Sequence, residues 1–457
     1  MPESDDSGAG RALAQEVPHW PGFDHDIGGR IAALAGSGVG KEVRAELNGL
    51  LVKADGTSVP TGPPAVLVPG ALSRLTALVA AYHRMIEAIV SAYSHDRRLQ
   101  ETLSMPDELT PWLRAPAHPR DARVHLMRVD VLPQADGTVR VLETNANCPT
   151  SFVFSGMAAR AWRRVLEQHG EKLPEPLPWE REQWMAEWFL RVAEQETGER
   201  PAFVTLLKEW DGTQSPPTGD TLCAAEFDIL QRLFGDLGVE AQAAHPRDLE
   251  QRSLTGVTLG GRPVRHAYLG FGVRAFSRIR AEVEPFVEAV RGGGLFVPNG
   301  LLSRWVGDNK LCLAVLSDPA FGDLFDERDV DLVGPAIPWS RNLARCPDEV
   351  VERIRRDPAG YVLKRPLDAC GRGVVIGREV HDGAEWNAAV ALACREGWLV
   401  QEYCTSTQLD CEPGSGTLRH DLSLGAINGV LSAATMRSST EYRTNVARTG
   451  SFHVVFA

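Results

Sequence analysis

A lysine on a short apolar strand, followed by a glycine loop and a second apolar strand, constrains this chain more than any other feature. The stretch is YVLKRPLDACGRGVVIG, residues 361–377. Residues 361–363 and 374–376 read as strands on either side of the loop. Gly371 and Gly373 have no Cβ, so they reach the φ > 0 conformations that aim several N–H groups at one anion. Lys364 adds a point charge beside that cradle. Polyphosphate is held by such means, although the chain has no G-x-x-x-x-G-K-[ST] segment. Taken alone, the same stretch also reads as a plain hairpin with a glycine turn.

A second stretch lies far upstream, VRVLETNANCPTS at 139–151. Glu143 and Asn145 are separated by one residue, so on a strand both side chains point to one face. A carboxylate beside an amide oxygen is a pair of hard oxygen donors, of the kind Mg²⁺ accepts together with phosphate oxygens and water. The alternative is an edge strand that ends in an Asx turn before Pro149.

Together these two stretches resemble the ATP-grasp superfamily, and in particular its circularly permuted members, in which the E-x-N strand precedes the lysine strand. Eukaryotic-type glutathione synthetase and the glutathionylspermidine synthetase-like bacterial proteins have that order. Further segments follow in the same sequence: MRVD at 127–130, NKLCL at 309–313 opening a helix, VQEYC at 400–404, and 420–445 as closing strands. The resemblance runs from near residue 120 to the end of the chain.

It implies an α+β ATP-grasp fold, circularly permuted, with ATP and Mg²⁺ as cofactors. Lys310 and Lys364 would clamp the α- and β-phosphates, with Gly371 and Gly373 covering them. The backbone of Gln401, Glu402 and Tyr403 would receive adenine, so that their side chains matter less than their conformation. Asp421 would accept from the ribose hydroxyls, and Asn445 would face the phosphates. Glu143, Asn145 and Asp368 would hold the metal, Asp368 being equally readable as a turn aspartate. Arg437 would meet the γ-phosphate, and Arg128 would clamp a substrate carboxylate. Arg443 and Arg448 are weaker choices for that clamp, since arginines are common on this surface. The NVARTG ending departs from the paired glycines usual after the asparagine.

The implied activity is an ATP-dependent carboxylate-amine ligase working through an acyl phosphate on small amino-acid or peptide-like substrates. A phosphotransferase on the same fold and a non-catalytic nucleotide-binding scaffold are the alternatives. No general base is required, because positioning and charge stabilisation supply most of the acceleration.

Composition bounds the rest. At 457 residues the chain exceeds one hydrophobic core. A net charge of −12 argues against general nucleic-acid binding. Only six lysines occur (41, 53, 172, 208, 310 and 364), and two of them fall in the segments above. Eight scattered cysteines without a C-x-x-C give no zinc pattern. An acidic, polar N-terminus and the lack of a long apolar run predict a cytoplasmic protein with reduced thiols and no membrane partner. A homodimer is an open expectation, the sequence leaving the oligomeric state unassigned. Residues 1–15 are expected to be disordered.

Along the chain, four units are expected. Residues 1–115 form a mainly helical region, with one long amphipathic helix from 69 to 103. Residues 116–198 hold two strands (123–132 and 139–144) joined at 135–137, then helices. That hairpin would bring Arg128 and Asp130 beside Glu143 and Asn145. Residues 199–300 alternate strand and helix as a Rossmann-like pre-ATP-grasp domain, lacking the G-x-G-x-x-G of a dinucleotide site. Residues 301–457 form the nucleotide-binding core.

Overall fold

The computed structural model describes residues 19–47, 59–115, 118–147, 152–208, 221–368, 371–410, 417–446 and 449–457. The expected disorder of 1–15 and the placing of Cys148, Cys370 and Arg448 lie outside the described residues. The fold is mixed α+β. Its strands are β1 (Ala65–Val66), β2 (Leu126–Pro133), β3 (Val139–Asn145), β4 (Phe203–Lys208), β5 (Glu240–Ala244) and β6 (Leu249–Gln251). There follow β7 (Val257–Leu259), β8 (Arg262–Val264), β9 (Ala267–Gly270), β10 (Ser340–Asn342), β11 (Tyr361–Lys364) and β12 (Val374–Ile376). The last are β13 (Leu399–Glu402), β14 (Gln408–Asp410), β15 (Thr417–Ile427), β16 (Val430–Ser439) and β17 (Ser451–Phe456).

A seven-stranded sheet in the order β1-β17-β16-β15-β2-β3, with β14 also on β15, is the frame. Its strands alternate between two faces, with register breaks in the β15–β16 and β2–β3 pairs. Leu422, Leu424, Ala434 and Met436 face one core with the helix Pro69–Ala92, while Ala433, Phe452 and Val454 face a second core with the helix Phe152–Gln168. Each face therefore buries an apolar set against a helix, which is what fixes the register.

The helix Pro69–Ala92 starts with Pro69 at its first turn, where a missing N–H costs nothing, and buries Leu75, Val79, Tyr82, Ile86 and Ile89. It stops short of the expected 103. The chain turns at 93–96, and Asp96 caps a separate helix, Arg97–Thr102, by accepting from the Arg98 N–H. By length and mean hydropathy the helix Pro69–Ala92 is apolar enough to cross a membrane. However, 61% of its most apolar window is buried within the protein, where it packs as a core helix.

A four-stranded sheet, β10-β13-β11-β12, stands against the large one. Leu363 and Val400 face outward into a separate core with Trp386 and Val351. Lys364 and Gln401 point the other way, toward β3. Residues 203–270 contribute a three-stranded parallel sheet, β5-β4-β9, and a small antiparallel one, β6-β7-β8. Beside β9, Phe296 makes an isolated parallel bridge with His266.

Candidate active site between the two sheets

The site begins with an irregularity in the β2–β3 hairpin. Asp130 pairs with Glu143 and Arg128 with Asn145, but Val131 pairs with Val141, which leaves Leu142 as the extra residue of a β-bulge. Val139 and Val141 enter the core before the bulge, and Thr144 enters it afterwards, 2.6 Å from the Tyr82 hydroxyl. The bulge thus turns Glu143 and Asn145 to the opposite face. It also exposes the Leu142 carbonyl, which accepts from Lys364 Nζ at 2.9 Å.

Lys364 and Lys310 reach this strand from different segments. Lys364, on β11, donates also to Gln401 Oε1 at 2.7 Å. Lys310 lies 3.2 Å from Glu143 Oε2 and donates to the Asp368 carbonyl at 2.6 Å. It sits in the turn between the helices Leu301–Gly307 and Cys312–Leu316, two residues before the helix that its segment opens as expected. Its own N–H donates to Pro366 O, so the turn is stitched twice to the glycine loop.

The two ammonium groups are tuned apart. Burial acts against the charge on both. Around Lys310 the Glu143 and Asp308 carboxylates outweigh it and hold the group above its ordinary value. Around Lys364 burial prevails over Glu143, and with Lys310 nearby pushes the ammonium down to about 8. Glu143 is itself held below the usual carboxylate range, because Lys310 and Lys364 overcome burial and the neighbouring Asp130.

Beside them lies a buried ion network centred on Asp130, which is fully enclosed. Arg128 grips it with two bonds, 2.8 and 3.0 Å, Arg437 donates at 2.9 Å and Ser423 at 2.9 Å. Burial would raise this carboxyl, but the two guanidinium groups hold it well below the usual range. Asn145 Nδ2 lies 3.4 Å from the same carboxylate. Arg437 also binds Asp421 twice at 2.8 Å, and the Thr444 hydroxyl donates to Asp421 as well. Asp421 lies inside β15 and is 1% exposed. Both its oxygens accept from Arg437 or Thr444, so the structure makes it a partner of Arg437, a role the expected ribose contact did not include.

Gly371 and Gly373 adopt φ of 70° and 63°, in the left-handed region that glycine enters without strain. A Cβ on Gly373 would come 2.5 Å from Asp368 Oδ2 and 2.7 Å from Arg365 Cβ, whereas one on Gly371 would meet Asn445 Nδ2 at 3.5 Å and Arg443 Cδ at 4.0 Å, ordinary contacts. Asp368 is buried, with Arg365 at 3.6 Å. Asn445 is thereby placed against the loop tip. Arg443 pairs with Glu379 at 2.9 Å and is not a free clamp.

The segment expected to receive adenine differs in two respects. The N–H groups of Glu402 and Tyr403 already donate to Trp339 O and Gly360 O, both at 2.8 Å. The Gln401 side chain, expected to matter little, is buried between the sheets and braces Lys364. Glu402 is exposed, and Tyr403 packs its ring near Tyr442 and under Arg378.

Two further residues build the site. Asp308 accepts from the N–H groups of Ala146 and Asn147 at 2.8 and 2.9 Å, anchoring the chain just after Asn145. Asn299, with φ of 53°, accepts from the N–H groups of His125 and Leu126 and donates to Ala146 O, locking the starts of both segments together. The Asn-Gly pair at 299–300 is a local signal for the turn, but nothing in the sequence marks the partners.

The donor set bears on a metal. Among the described residues no three His, Cys, Asp or Glu side chains cluster as a metal site. Glu143 and Asn145 offer one ionised carboxylate and one amide oxygen. That set suits Mg²⁺ arriving with phosphate oxygens, since this ion is commonly held by one or two carboxylates plus substrate phosphates. It does not suit a resident ion held by protein alone.

No protein-family model matches the chain, and no curated protein matches it in sequence. Among solved structures it is similar to the apo form of a glutathione synthetase-like effector, GSS30, from Globodera pallida. The TM-score is 0.63 at 13% identity, over 94% of this chain and 98% of that one. The chain therefore has a glutathione synthetase-like fold.

Proposed function

We propose that the chain binds ATP between its seven-stranded and four-stranded sheets, as a circularly permuted ATP-grasp protein, and joins a small carboxylate to an amine. The observation that carries this reading is the convergence of Lys310 and Lys364, from separate segments, on the strand of Glu143 and Asn145. A polyphosphate entering there would meet two ammonium groups and the glycine loop while displacing only the short contacts that now satisfy them. Glu143, Asn145 and Asp368 would hold Mg²⁺, which neutralises phosphate charge when bound. Arg437 and Arg128 would orient the transferred group and a substrate carboxylate. The glycine loop would exclude water from a reactive acyl phosphate.

A second reading is nucleotide binding without catalysis. It is favoured by the engagement of Arg437 with two buried carboxylates, which uses up much of the donor capacity expected at the γ-phosphate. Calorimetry of ATP with and without Mg²⁺, on the wild type, Glu143→Gln and Lys364→Ala, tests the site. Magnesium-dependent binding lost in both variants supports it, and binding indifferent to both refutes it. Products then separate the activities: phosphate released only with an amine acceptor marks a ligase, transfer to a hydroxyl marks a kinase, and no turnover marks a binding protein.

A further inference from the structure

Trp339, at the outer edge of the four-stranded sheet, has two guanidinium groups against its ring. Arg341 lies 5.5 Å and Arg353 5.4 Å from the ring centroid. These three side chains line a pocket of about 390 Å³, together with Phe321, Arg345 and Asp318. That volume falls in the range of small-molecule sites. The pocket lies at the β10 edge of the sheet, and its Arg341 projects from the face opposite the lysines. Arg341 pairs with Val400 and Val400 with Leu363, whose side chains enter the outer core, whereas Lys364 and Gln401 point inward.

The charge of this lining runs against that of the protein. Three arginines face one aspartate, in a chain of net charge −12. Arg345 is neutralised by Glu101 at 2.9 Å. Arg341 is only 3.6 Å from Asp318 and is oriented by Nη1 bonds to Ser317 O and Ser340 O, at 3.1 and 2.8 Å. Arg353 is exposed, and among the described residues no carboxylate lies within ion-pair distance of it. Two guanidinium groups are thus held near an aromatic wall, Arg341 sharing Asp318 at 3.6 Å and Arg353 with no carboxylate within ion-pair distance among the described residues, an arrangement that matches an anionic head on a flat body.

We propose that this pocket is a second binding site, for a small anion that carries a flat apolar ring, such as an aromatic phosphate monoester or carboxylate. Its ring would lie along Trp339 and Phe321, and its anionic group between Arg341 and Arg353.

Phenyl phosphate, titrated calorimetrically into the full chain, tests this. Expected are saturable one-to-one binding, about a tenfold or greater loss of affinity in Arg353→Gln and in Arg341→Gln, and much weaker binding of inorganic phosphate and of benzyl alcohol. Arg353 is exposed, so its variant folds even if the better-anchored Arg341 variant does not. Saturating ATP should leave the probe in place. The inference is overturned by absence of saturable binding at millimolar probe, by binding indifferent to Arg353→Gln, or by displacement of the probe by ATP.

Discussion

Lys310 and Glu143, from segments far apart in the chain, meet with Nζ 3.2 Å from Oε2, and this pair ties the turn before the helix Cys312–Leu316 to the edge strand of the large sheet. Lys310 is buried and Glu143 about a quarter exposed, and each stabilises the charged form of the other. Replacing Glu143 by Gln leaves the Lys310 ammonium with Asp308 as its main counter-charge. We expect a loss of stability of about 1–3 kcal/mol in urea unfolding, and at least a tenfold loss of Mg²⁺-dependent ATP affinity. Stability equal to wild type would show that the pair is indifferent to folding.

The network on Asp130 should be the most fragile polar element of the fold. Asp130→Asn removes the charge between Arg128 and Arg437 without freeing space, so two largely enclosed guanidinium groups lose a shared partner. Breaking a buried pair from one side typically costs about 3–5 kcal/mol. Urea midpoints measure this. A change below the range of ordinary surface substitutions would mean that water replaces the lost charge.

Lys364 predicts a pH dependence opposite to that of most buried cations with partners. Burial lowers its folded value to about 8, below the ordinary 10.5. Between those values the unfolded chain binds the proton and the folded chain does not, so stability contributed at this site rises as pH rises from about 8 toward 10.5. Below pH 8 both states are protonated and the contribution is flat. ATP affinity should move the other way, falling above pH 8 as the ammonium is lost, unless bound phosphate holds the proton on. Thermal midpoints and ATP titrations across pH 7–10, compared with Lys364→Met, read both slopes. Parallel behaviour of the two proteins would remove Lys364 as the cause.

The glycine loop offers a paired comparison. Both Gly371 and Gly373 have positive φ, so alanine strains either. At Gly373 the new Cβ would also come 2.5 Å from Asp368 Oδ2. Gly373→Ala should therefore weaken ATP binding more than Gly371→Ala, with strain of roughly 1–3 kcal/mol common to both. Equal effects would show that Asp368 moves aside freely.

What could be read from the sequence follows a physical line. Alternation on a strand is local, so the shared face of Glu143 and Asn145, the pairing of Arg128 and Asp130 with them, and the positive φ of both loop glycines were all legible. The bulge at Leu142 was not, because it depends on which register lets Val141 and Thr144 both reach the core. Nor was the role of Asp308 or Asn299, since each acts on backbone groups from another segment. The enclosure of Asp421 was not legible for a related reason: it is buried within β15 because Arg437, on the next strand, supplies the partner that makes a buried aspartate tolerable.

That reassignment gives a further expectation. If Asp421 serves only to hold Arg437, Asp421→Asn and Arg437→Met damage the same interaction, and their combined effect on stability should fall short of the sum by about 1 kcal/mol or more. The ratio of affinities for ATP and 2′-deoxy-ATP should be the same in Asp421→Asn as in the wild type, because no ribose contact has been lost. A ribose acceptor would behave differently: the preference for ATP would collapse in the variant while Arg437→Met left it intact. Measuring both nucleotides on the two single variants and the double variant decides between an aspartate that reads the sugar and one that positions a guanidinium.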